Sequence, residues 1–180
     1  MEEANQPKTT LPGNFIFDQV LPDAYRFAVT VNAPGVYVKD ITSDGRSIYN
    51  QPMDGNALRS GGMRIVMAHD GGALTAHVAD KDGNGVAEAN VYVMRADAAS
   101  EGALSSTLVS GTTDQNGDFQ TAAPLPPGKY RVLASSTPIA VAANEVDRLW
   151  QARSKATDVQ VPPNGSAKVA LELILLETRR

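Results

Sequence analysis

The chain contains no cysteine, which removes disulfides, thiolate metal sites and a cysteine nucleophile together. Histidine is almost as scarce, at two residues, so side chains that titrate near neutral pH are limited to His69 and His77. Ten aromatics (one Trp, five Tyr and four Phe) are too few to line an aromatic enzyme cleft. Neither sign of charge dominates: 16 Lys and Arg against 20 Asp and Glu leave a net charge of -4, and the cations are scattered. Without an electrostatic track for phosphates, a conventional nucleic-acid partner is excluded. No apolar run approaches the ~20 residues of a membrane helix, and the opening MEEANQPKTT does not read as a signal peptide, so membrane insertion of this segment is not expected.

What the chain does have is 15 Gly, 11 Pro and a Val/Ala-rich apolar fraction, the composition of a turn-rich all-β protein. Residues 1–12 are polar and aperiodic and read as a loose leader. Beyond them the apolar period is two. Tyr25, Phe27, Val29 and Val31 alternate with Arg26, Ala28 and Thr30; Met63, Ile65 and Met67 with Arg64 and Val66; Val169, Leu171 and Leu173 with Ala170 and Glu172. Asp44-Gly45, Asp82-Gly83, Asn84-Gly85, Asn116-Gly117 and Asn164-Gly165 supply residues that tolerate the positive φ of tight turns. Short strands with frequent turns predict a sandwich or barrel. One stretch departs from this, since Val146, Leu149, Trp150 and Arg153 recur at helical spacing. A short amphipathic helix over 144–155 is predicted, lying on the sheet as a decorated connection.

An internal repeat divides the chain. Phe15 precedes Leu21-Pro22 and Tyr25-Arg26, as Phe119 precedes Leu125-Pro126 and Tyr130-Arg131. The second copy has strands upstream, in residues 73–118, whereas the first has only the polar leader. Three segments follow: the leader at 1–12, a partial unit at 13–69 holding only the second half of the repeat, and a complete unit at 70–180. Either the chain comes from a longer one, or the first unit borrows strands from elsewhere.

The complete unit reads GVAEANV (Gly85 to Val91), TTDQNGDF (Thr112 to Phe119) and LPPGKYRV (Leu125 to Val132), and it resembles the carboxypeptidase regulatory-like domain family. The resemblance implies a prealbumin-like (Ig-like) antiparallel β-sandwich, with Tyr130 plugging one end as a tyrosine corner does. It further implies a non-catalytic, extracytoplasmic module of a bacterial envelope or secreted protein. The partners would be neighbouring domains of a longer parent chain, or protein or glycan at the cell surface, and no cofactor is implied. The alternative is a carbohydrate-binding module, an inference that rests on fold analogy. Related surface sandwiches cross-link a first-strand Lys to a last-strand Asn; Ala73 to Ala79 has no Lys and Val169 to Ile174 no Asn, so no such bond is expected.

Candidate sites are few. Asp80, Asp82 and Asn84 occupy positions one, three and five of a calcium-loop pattern, with Val91 where the bidentate Glu should stand, so a plain turn without metal is expected. Asp114, Asn116 and Asp118 form a second such turn. Sugar recognition would draw on Trp150, Tyr37 and Tyr49. His77 falls on the polar side of its strand and His69 in the AHDGG joint; with no GxSxG, HExxH or phosphate-loop motif, the chain is not expected to be an enzyme.

Overall fold

The computed structural model describes residues 8–11, 13–17, 20–25, 27, 29–31, 33–49, 51, 53–58, 62–139 and 146–174. The chain divides into two compact units, one drawn from Met1–Val29 and Asp40–Val66, the other from Thr30–Lys39 and Met67–Arg180. This differs from a division at 69/70, because Thr30–Lys39 goes with the later residues: the Gly71 N–H donates to the Gly35 carbonyl at 2.9 Å, and the Tyr37 hydroxyl to Asp70 at 3.1 Å.

Short strands make up the first unit. The expectation of a loose leader is corrected at residues 8–11, where β1 (Lys8–Leu11) pairs antiparallel with β2 (Asn14–Ile16) next to Gly13, at φ +84. Gly13, which accepts the left-handed region without a Cβ, permits that turn. β3 (Ala24–Tyr25) pairs with β6 (Met53–Asp54), just before the single helical turn α1 (Gly55–Leu58). The strand expected through Val31 stops at Tyr25 among the described residues, since β6 offers two partners before the chain turns away; Arg26 and Ala28 lie outside the described residues. β4 (Tyr37–Ser43), of which only residues 40–43 belong to this unit, and β5 (Arg46–Ser47) are joined through Asp44 and Gly45 at φ 49 and 76, both positive as a type I′ turn requires, and β7 (Met63–Ala68), of which residues 63–66 belong to it, completes the order β5-β4-β7. The alternation read in β7 holds in part: Met67 is 49% exposed, while Val66 on the opposite face is half-buried.

The second unit is an all-β sandwich with helices added on one side. One layer holds β10 (Val109–Thr112), β9 (Asn90–Arg95), β12 (Gly128–Ser135) and β13 (Thr157–Val161), and the other β14 (Ser166–Ile174), β8 (Ala73–Ala79) and β11 (Asp118–Gln120). Pairing is antiparallel except at β14, which runs parallel to β8 from Ser166↔Ala73 to Glu172↔Ala79 and parallel to the end of β12. The expected antiparallel β-sandwich is found, with this one parallel strand: β14 enters beside β8 in the same direction, which requires a long crossover. Between the layers, Leu74, Val78, Val91, Val93, Phe119, Tyr130, Val132, Val161 and Leu171 form one core.

A second core lies on the outer face of the β10-β9-β12-β13 layer. Tyr92, Met94 and Leu133 project there and meet Leu104 of α2 (Glu101–Thr107) and Val146, Leu149 and Ala152 of α3 (Val146–Ala152). Four successive residues of β9, Val91 to Met94, are buried because both faces of that strand are covered. β8 alternates instead, with Leu74, Ala76 and Val78 buried and His77 exposed, because its outer face meets water. The helix predicted over 144–155 is found at 146–152, continued by a 3-10 turn at Arg153–Lys155; Asn144 and Glu145 lie outside the described residues. It is a core element rather than a decoration, with Leu149 fully buried, worth about 1.5–3 kcal/mol. α2 was not expected. Ser100 caps it, its hydroxyl accepting from the Ala103 N–H at 3.2 Å.

Candidate functional site

Each motif read as a possible site lands in the second unit except Tyr49, and each is held by its own neighbourhood. After β8 the chain turns on Asp80, whose carboxylate accepts the backbone N–H groups of Asp82 and Asn84, both at 2.9 Å, and the Asn84 side-chain amide at 3.2 Å. The backbone and then the side-chain amide of Asn84 hold the Asp80 carboxyl below the usual aspartate range. Asp114 repeats the design, accepting the N–H groups of Asn116 at 2.8 Å and Asp118 at 2.9 Å, with Asp118 the leading cause of its lowered pKa. Gly85 and Gly117 let the two turns touch: a Cβ on Gly85 would overlap the Asn116 carbonyl, and Val78 donates its N–H to Gly117 at 2.8 Å. Asp82 and Asn84, the other two residues of the calcium pattern, are exposed on the first turn. Among the described residues no three His, Asp or Glu side chains gather closely enough to hold a metal ion.

His77 meets Asp118 across the β8–β11 pairing, Nδ1 to Oδ1 at 2.8 Å, with both side chains exposed. His69 is exposed in its joint, and the neighbouring Asp70 accepts the Tyr37 hydroxyl. Burial, reinforced by that hydrogen bond, pushes the Tyr37 phenol up.

Tyr130 is 2% exposed and donates its hydroxyl to the Pro126 carbonyl at 2.7 Å, the corner bond that its motif predicts. Burial pushes its phenol up to about 12. Arg95 lies over the ring at 5.8 Å and grips Asp97 with two bonds of 2.8 and 2.7 Å, which raises the guanidinium and lowers the carboxyl. Sequence reasoning missed both this fork and the His77–Asp118 pair. An Arg-x-Asp step closing a strand was a legible signal for the first; the second needs the β8–β11 register, which no local pattern carries.

Trp150 is half-buried, and the Arg153 guanidinium sits 3.3 Å from the centre of its ring. Tyr37 is half-buried beside Asp70, and Tyr49, half-buried, belongs to the first unit. The first unit also carries an open hollow of about 380 Å³ lined by Pro22, Asp23, Ala24, Met53, Asp54 and Asn56. Asp23 and Asp54 use their carboxylates there to accept the N–H groups of Ala24 and Asn56.

No family model and no curated protein matches the chain. Among solved structures it is similar to the 5-hydroxyisourate hydrolase of Klebsiella pneumoniae, at 21% identity over 59% of this chain and 92% of that one, with a TM-score of 0.34. It is similar also to the Bacillus anthracis TIE protein (12% identity, 79% of this chain, 32% of that one, TM-score 0.38). A third likeness is to the major pilin subunit of Bacillus cereus (15% identity, 67% and 35%, TM-score 0.36). The chain thus spans about a third of the length of the latter two. At such identities and scores, no residue role, ligand or partner passes from these proteins to this chain.

Proposed function

We propose that the chain is a non-catalytic β-sandwich module, of the carboxypeptidase regulatory-like kind, that spaces or docks neighbouring domains of a larger extracytoplasmic bacterial protein. The reading rests on one observation. The polar and aromatic groups best suited to chemistry in the second unit are engaged in holding the fold: Asp80 and Asp114 by their own turns, Tyr130 by Pro126, and Trp150 by Arg153. A binding or catalytic site keeps convergent polar groups open to its ligand, and these are engaged by their own backbone or by a neighbouring side chain. Residues 13–69, as the second half of the repeat, serve in this reading as an incomplete unit completed by other strands.

The test is a ligand screen on the full chain. Melting temperature is followed with and without millimolar calcium, and binding is measured on a panel of glycans. A spacer leaves both unchanged. Calcium stabilisation that disappears in Asp82→Ala, or glycan binding that disappears in Trp150→Ala while stability holds, replaces this reading with a metal-dependent or carbohydrate-binding module.

A further inference from the structure

Three Asn-Gly pairs, Asn84-Gly85, Asn116-Gly117 and Asn164-Gly165, stand in turns of the second unit, and all three asparagines are exposed. Such a pair is chemically labile. With no Cβ on the following residue, its backbone nitrogen can reach the asparagine side-chain carbonyl carbon. The step needs that N–H released from hydrogen bonding and the side-chain amide free to turn, so local structure sets the rate.

The three sites differ in both respects. At Asn116 the Gly117 N–H donates to the Asp114 carbonyl at 3.1 Å, and Gly117 is buried. At Asn84 the Gly85 N–H has no partner among the described residues, but the side-chain amide donates to Asp80 at 3.2 Å, and that carboxylate stays ionised at lower pH than an ordinary aspartate. Asn164 is the least restrained. Among the described residues no group bonds its side chain, the Gly165 N–H faces the Pro162 carbonyl across the turn at 163–164 without closing a short hydrogen bond, and the turn is tied by other atoms: the Asn164 N–H donates to the Asp70 carbonyl at 3.0 Å, and the Gly165 carbonyl accepts from the Ala73 N–H at 2.9 Å.

We propose that Asn164 is a site of spontaneous deamidation, the most reactive of the three, with water as the only co-reactant. The Gly165 nitrogen bonds to Cγ of Asn164, the Cγ–Nδ2 bond breaks, and the glycine amide proton leaves with that nitrogen as ammonia. Water then opens the five-membered imide at one or other carbonyl, giving aspartate or isoaspartate with no change of oxidation state. Either product adds a negative charge. The iso form also inserts a backbone carbon where Asn164 holds φ +52, beside the bonds to Asp70 and Ala73 from which β14 starts its ladder with β8.

The full chain, incubated folded in mildly alkaline buffer, is sampled by peptide mapping that separates aspartate from isoaspartate. The Asn164 peptide converts first, about fivefold or more ahead of Asn116, the factor that one net hydrogen bond withholds, with Asn84 between them. In denaturant the ranking collapses, because all three sites share the same Asn-Gly step. In Asn164→Gln the earliest acidic species on isoelectric focusing is absent. Asn116 converting as fast as Asn164 in the folded chain, the same ranking with and without denaturant, or persistence of that species in Asn164→Gln would each overturn the assignment.

Discussion

Tyr25 and Tyr130 stand at matching points of the two repeats, and each hydroxyl reaches back four residues to the backbone. Tyr130 donates to the Pro126 carbonyl at 2.7 Å, whereas Tyr25 accepts the Leu21 N–H at 3.1 Å. One residue makes the difference. The second copy has Pro127, Gly128 and Lys129 before its tyrosine where the first has Asp23 and Ala24, so four residues back is a proline with no N–H in one case and a leucine in the other. The surroundings differ more than the bonds. Leu125 is 3% exposed and Tyr130 sits in the core between two layers, while Leu21 is 65% exposed and Tyr25 half-buried. A corner motif directs a tyrosine back over its own loop; how much that stabilises depends on whether two facing sheets receive the ring.

The largest contrast is expected from Tyr130→Ala against Tyr25→Ala. Emptying a filled core site costs about 3–5 kcal/mol, and the half-buried site about 1 kcal/mol. Urea unfolding of the full chain, followed through Trp150 fluorescence for the second unit and circular dichroism for the whole, reads both; equal losses would break the comparison. Within the second unit, Leu149→Ala should cost about 2–5 kcal/mol and Trp150→Ala roughly 1–2, because only Leu149 is fully enclosed by the outer core. If Trp150→Ala proves the costlier, the Arg153 stack carries more of the packing than its exposure suggests.

Glycine turns sharpen the same contrast. Gly45 and Gly117 both hold positive φ, 76 and 82, but a Cβ on Gly45 meets open space and one on Gly117 falls 2.5 Å from the Val78 carbonyl. Gly45→Ala should cost about 1 kcal/mol from backbone strain alone, and Gly117→Ala about 2–3 because the turn must also move. The smallest effect is electrostatic. Asp80 and Asp114 are depressed in the folded chain, so their contribution is complete above the ordinary aspartate value of 3.8 and is lost as pH falls through their lower folded values. Asp80→Ala and Asp114→Ala should therefore lower melting temperature at neutral pH and flatten its decline on acidification. An unchanged acid slope would count against the turns as its source.

Local features were legible in the sequence and non-local ones were not. The alternation of β8 and β14, the turn glycines and the α3 stripe follow from periods and φ preferences that a few neighbouring residues carry. α2 was missed because EGALSST offers one buried leucine, so its helix depends on the Ser100 cap and on packing against β9 rather than on a stripe. The strand expected from Tyr25 to Val31 is found only at Tyr25 among the described residues, since alternation without a partner ladder makes no strand. Trp150 stood on the right helix, but its stripe could not reveal that Arg153 would cover the ring.

The parallel ladder between β8 and β14 bears on mechanical load. Because the two strands run the same way, tension on the chain entering β8 and on the chain leaving β14 pulls at opposite ends of the shared register, from Ser166↔Ala73 to Glu172↔Ala79. Such a pull slides one strand along the other and strains the whole ladder at once, whereas an antiparallel terminal pair pulled in this manner would peel open bond by bond. Survival under tension is set by the rate of forced unfolding rather than by equilibrium stability, and a shear-loaded ladder slows that rate. Stretched between its two ends, the second unit resists as a clamp and not as a zipper.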